Sequence, residues 1–127
     1  MHKLRRLLVL LAVASAANGC WLGHKSGSQQ PRSTPSTLTV ENHHWLDANI
    51  YLVHDGQRSR LGTATAARTL KLTFPPSFIG QLGTIQLIAD PVGASAGIVS
   101  QSIVVKPGTR VVWTLESDLA RSSLSVY

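Results

Sequence analysis

Thr69-Leu70-Lys71-Leu72-Thr73-Phe74-Pro75-Pro76 is the stretch that decides the fold class. Apolar and polar residues alternate strictly, so an extended chain carries Leu70, Leu72 and Phe74 on one side and Thr69, Lys71 and Thr73 on the other. A helix would put Leu72 on the side opposite Leu70 and Phe74, leaving no single apolar face. The two prolines end the strand, because neither can donate a hydrogen bond to a sheet ladder.

The same period of two runs outward in both directions. Leu38 and Val40 alternate with Thr39 and Glu41 from Thr37 onward. Ile50-Tyr51-Leu52-Val53 is an apolar strand core followed by Asp55-Gly56, a strong signal for a two-residue hairpin, and Arg58 to Thr65 reads as the returning strand. Downstream, Ile85, Leu87 and Ala89 point inward until Pro91 and Gly93. Ile98 to Lys106 is β-branched up to a turn at Pro107-Gly108; Val111, Trp113 and Leu115 share one side, and Leu124 and Val126 another short strand. No stretch after Ala17 has helical periodicity. About eight short strands, with turn signals roughly every 8–12 residues, predict an all-β fold. The expected architecture is an antiparallel β-sandwich, immunoglobulin-like or transthyretin-like, with a small barrel as the alternative. Leu70, Leu72, Phe74, Ile85, Leu87, Val111, Trp113 and Leu115 are its expected core.

The first twenty residues have a different character. Met1 to Arg6 is a basic head with Lys3, Arg5 and Arg6; Leu7 to Ala17 is an apolar run; Ala17-Asn18-Gly19-Cys20 closes it with small residues before the chain's single cysteine. The run is too short to cross a bilayer, which takes roughly 20 apolar residues, and has the form of an export signal. Ala17-Asn18-Gly19-Cys20 resembles the lipobox of bacterial lipoproteins, although that family usually has a large aliphatic residue where Ala17 stands. The resemblance covers residues 1–20. It implies cleavage between Gly19 and Cys20, a diacylglyceryl thioether on Cys20, and attachment to the cell membrane or outer membrane, facing the periplasm or the surface. Trp21 stands where Asp would imply retention in the inner membrane, so the outer membrane is the expected destination. Ordinary secretion, with cleavage after Ala14-Ser15-Ala16 and a free Cys20 thiol, is the competing reading.

Three segments follow: a signal at 1–19, a lipidated cysteine with a Ser/Gly/Gln/Pro-rich tether at 20–36, and the sandwich at 37–127. A flexible tether of that length spans roughly 20–25 Å. With one cysteine, no internal disulfide forms, and about 90 residues suffice for one modest core.

Residues 1–19 hold three of the 12 basic residues and none of the six acidic ones, leaving nine against six in the mature chain. These positives are scattered along the sequence. Nucleic-acid binding calls for a clustered basic stripe, so no nucleic-acid partner is expected.

His43-His44-Trp45-Leu46-Asp47 is the one cluster able to carry chemistry. It reads first as a polar loop joining the first two strands, with Trp45 as a candidate partner contact. The alternative is a Zn or Cu site built from His43, His44, His54 and Asp47, with His54 brought close by pairing of residues 39–42 with 50–53. Neighbouring histidines on an extended chain point to opposite sides, which works against a shared site. Asp55 and Asp90 stand beside Gly or Pro and read as turn residues. Glu116 and Asp118 lack the partners that glycosidase chemistry needs, and no Gly-x-Ser-x-Gly elbow occurs. Gly93-Ala94-Ser95-Ala96-Gly97 lacks the Gly-Lys-Ser/Thr of a phosphate loop. No catalytic residues and no cofactor beyond the covalent lipid are therefore expected. A last contact surface is an edge formed by Ile103–Val105 pairing with Val111–Val112, open to strand addition. The sequence expectation is thus a membrane-anchored, non-enzymatic envelope lipoprotein that binds an envelope protein or a second copy of itself.

Overall fold

The computed structural model describes residues Thr34–Tyr127. Gly19, Cys20 and Trp21, with the signal and most of the expected tether, lie outside the described residues. Nine strands are formed among the described residues. They are β1 (Ser36–Asn42), β2 (Ala48–His54), β3 (Gln57–Ala64), β4 (Arg68–Phe74), β5 (Thr84–Pro91), β6 (Ile98–Val99), β7 (Ile103–Val104), β8 (Arg110–Leu115) and β9 (Ser123–Val126).

They make two sheets packed face to face. One has the order β4-β1-β8-β9; the other has β3-β2-β5-β6, with β7 also pairing with β5. The architecture is a β-sandwich and not a closed barrel. The core lies between the sheets. Phe74, Ile85, Leu87, Val111, Trp113 and Leu115 are buried there with Leu38, Val40, Ile50 and Leu52. Leu70 and Leu72 are only half-buried, because β4 is the outer strand of its sheet and only one neighbour covers it. The Asp55-Gly56 hairpin forms as expected: both residues have positive φ, 46° and 75°, as a two-residue turn of this hand requires.

Pairing departs from the sequence expectation in four places. β1 and β8 run parallel, with Leu38 opposite Val111 and Val40 opposite Trp113, inside an otherwise antiparallel arrangement. β1 and β2 lie in different sheets, so residues 39–42 do not pair with 50–53; residues 43–47 cross the gap of about 10 Å between the sheets. The stretch from Ile98 to Lys106 is broken into β6 and β7. At the break the Ser100 hydroxyl accepts from the Leu87 N–H at 2.9 Å while the Ser100 N–H donates to the Leu87 carbonyl at 2.8 Å. A side-chain oxygen takes the place of a ladder carbonyl, and the strand bulges away. The expected pairing of Ile103–Val105 with Val111–Val112 is also absent. β7 pairs with β5 and β8 with β1 and β9, so the Pro107-Gly108 turn carries the chain from one sheet to the other.

The sandwich has two distinct ends. At the entry end, Thr34 lies beside Gly108, the Ser36 hydroxyl donates to the Lys106 carbonyl, and the Asp55 carboxylate accepts from the Gln81 N–H. β1 then runs about 20 Å to the far end. There residues 43–47, 65–67, 91–97 and 116–122 connect the strands.

Candidate functional site

The far end is organised by Asn42, the last residue of β1, which is fully buried. Its Nδ2 donates to the carbonyls of Leu46 and Ala64, both at 3.0 Å, and its Oδ1 accepts from the His44 N–H at 3.0 Å. A buried amide with three partners closes the loop from inside and ties it to the end of β3. His44 continues the arrangement: it is buried, and its Nδ1 accepts from the Leu46 N–H at 3.1 Å.

Further bonds stitch the loop to three neighbouring connections. The His43 N–H donates to the Leu115 carbonyl (2.8 Å), the Val92 N–H to the Asp47 carbonyl (2.7 Å), and the Ala67 N–H to the His44 carbonyl (3.3 Å). The Asp47 carboxylate accepts from the Ala66 N–H at 2.8 Å, and the Ser117 hydroxyl donates to the His43 carbonyl. A loop bonded on so many sides holds one shape.

Upon this frame stands Trp45. Its indole stacks on the His44 imidazole, with centroids 4.0 Å apart and planes 25° apart, yet it remains 69% exposed. A buried ring lies beneath the indole and water above it. Beside it His43 lies 3.6 Å from Glu116, both about half exposed, a pair that contributes little to stability in water. Glu116, Ser117, Asp118 and Arg121 line an open hollow of about 430 Å³ next to it.

No family model matches the chain, and no curated protein matches it. Among solved structures it is similar to an NMR structure of a protein from Eubacterium rectale, with 15% sequence identity and a TM-score of 0.47, over 77% of this chain and 91% of that one. At that distance the likeness carries no argument about function.

The metal set expected from His43, His44, His54 and Asp47 is not assembled. His54 ends β2 at the entry end, a strand's length from the loop, because β1 and β2 do not pair. It stacks against Phe78 there, with Nδ1 buried, unbonded, and 3.8 Å from the Asp55 carboxylate. His43 faces water while His44 faces the interior, as alternation requires, and Asp47 is engaged with backbone. Among the described residues no group of three or more His, Cys, Asp or Glu is placed to hold a metal ion.

The acidic residues have structural partners. Asp55 sits in its hairpin and also reaches Gln81 across the entry end. Asp118 caps a short turn by accepting from the Ala120 N–H at 3.1 Å. Asp90 faces outward on β5 opposite Asn49. Sequence reasoning missed Asn42. Its signal was an Asn at the close of an alternating strand, a residue type whose side chain readily bonds nearby backbone.

Proposed function

We propose that this chain is an envelope lipoprotein, anchored through Cys20, whose β-sandwich is a non-enzymatic interaction module that engages its partner with Trp45. The partner is an envelope protein or a second copy of the chain. The observation that carries this reading is the posture of Trp45, an exposed indole on a loop held from beneath by Asn42 and His44. Its place supports the reading too. The chain enters the sandwich at one end, and Trp45 stands at the other, so a tether on the entry side presents the indole away from the anchor. Each methylene of a lipid on Cys20 contributes about 0.8 kcal/mol to membrane attachment, so two or three acyl chains make it effectively permanent.

Two measurements in the native host test the two halves. Intact-mass spectrometry is expected to show a mature chain starting at Cys20 with fatty acyl chains; a chain starting at Ala17 with an unmodified thiol overturns the anchor. Photocrosslinking from a photoreactive residue at position 45 is expected to trap a defined envelope component or a second copy, with no such adduct from position 73 on the sheet face. The same yield from both positions, or none from 45, overturns the binding role.

A further inference from the structure

The two ends of the sandwich differ in charge as well as in shape. The far end holds Asp47, Asp90, Glu116 and Asp118, with Glu41 in the last third of β1, against Arg68, Arg121 and Arg60, whose guanidinium bonds Asn49 and Thr63. The entry end holds Lys106 and Arg110 against Asp55, all three exposed, and Arg58 starts there with its guanidinium lying back over the Tyr51 ring. The sequence scatters these residues over more than fifty positions, and the fold leaves an excess of acids at the far end and an excess of cations at the entry end.

Four of the exposed apolar side chains stand at this end with the cations. Leu82 is 80% exposed, Tyr127 68% and Val104 67%, and Val126 lies beside Tyr127. Hydrogen bonds across the entry end join the segments that carry these side chains. The Val105 N–H donates to the Gly83 carbonyl at 2.7 Å, the Ser36 hydroxyl to the Lys106 carbonyl at 3.1 Å, the Thr37 N–H to the Thr109 carbonyl at 3.0 Å and the Arg110 N–H to the Tyr127 carbonyl at 3.1 Å. The Arg110 guanidinium lies over the Tyr127 ring, 4.7 Å from its centroid, joining a cation to an amphipathic aromatic.

We infer that the entry end is a docking surface for an anionic lipid headgroup layer. Cations there meet lipid phosphates, Tyr127 suits the interface between headgroup and acyl chain, and Leu82 and Val104 present apolar contact. A protein partner is disfavoured at this end by where the chain enters. Thr34 lies within the patch, and only residues 21–33 separate it from Cys20, so the two are never more than about 50 Å apart. A short tether raises the effective concentration of bilayer at this surface, so weak contacts suffice to orient the module. The far end, acidic and carrying Trp45, then points away from the lipid. The inference rests on the anchored reading of the function and adds an orientation to it.

The lone cysteine allows a test that does not depend on natural acylation. The chain from Cys20 onward is coupled through its thiol to a maleimide lipid, in vesicles containing phosphatidylglycerol or in vesicles of phosphatidylcholine alone. Backbone hydrogen exchange is then read by mass spectrometry. Exchange at 80–84, 104–110 and 124–127 is expected to slow by about threefold or more on the anionic vesicles, with 43–47 and 92–97 unchanged. The exposed-site double variant K106E/R110E is expected to lose that protection while exchange in β1 and β8 stays native. Equal exchange on both lipids, or protection at 43–47 instead, overturns the docking surface. Neither outcome bears on acylation, which the mass of native-host protein reads separately.

Discussion

The two ends of this sandwich hold their shape by different means. At the far end one fully buried side chain, Asn42, supplies three hydrogen bonds, two to the backbone of the loop it precedes and one to the end of β3, and positive φ occurs at Ala67 and Gly93. At the entry end no single buried side chain has that part: Asp55, Gly56, Gly80, Gly83 and Gly108 all have positive φ, and the exposed or part-buried bonds of Ser36, Asp55 and Thr109 join the turns. A conformation held by a buried amide can be lost through one substitution in the interior. A conformation held by left-handed residues is spread over several turns and gives way piecemeal. A loop fastened from inside leaves the outer face of Trp45 with no structural duty, which is what the proposed binding role requires.

Three substitutions press on this contrast. Asn42→Ala has the largest expected effect, because it strands the Leu46 and Ala64 carbonyls and the His44 N–H at once. A loss of about 3 kcal/mol in urea unfolding is expected, with faster hydrogen exchange across 43–47. A loss near zero would mean that the loop is held from elsewhere. Gly80→Ala comes next. At φ +70° a side chain is strained, and the new Cβ would collide with the Asp55 carboxylate. Destabilisation of about 1–2 kcal/mol is expected, with exchange rising at 80–83 and not at 43–47. Loosening at both ends would show that they are not independent. Trp45→Ala has the smallest expected effect on folding, within about 0.5 kcal/mol, since it removes a mostly exposed ring stacked on one neighbour. Its signature is the dissociation of the two readouts, with stability kept and partner crosslinking lost. A large stability loss would make Trp45 a lid over His44 and not an anchor.

Local features of the site were legible in the chain, and long-range ones were not. The Asp55-Gly56 hairpin, the polar loop at His43–Asp47 and the opposed directions of His43 and His44 all follow from residue types within a few positions of one another. The position of His54 did not. It was expected beside that loop because a strand next in sequence usually pairs with its predecessor. Here the short 43–47 connection crosses to the other sheet, since β1 and β2 each bury one face completely and those faces confront each other across the core. The break at Ser100 was hidden for a similar reason. A serine in a β-branched run looks like an ordinary outward position until its hydroxyl finds the Leu87 N–H on another strand.

By itself the sequence determined where extended chain would form and which side of each strand would be apolar, because alternation and turn residues act over two to four positions. Only the tertiary structure decided which strands are neighbours, that β1 and β8 run parallel, and that the far end carries an excess of acids and the entry end an excess of cations. Alternation reads the same in either strand direction and beside any partner. Those choices were made by the burial of Trp113, Phe74, Leu38 and Leu87 between two sheets, an energy that belongs to the assembled core and to no segment of it.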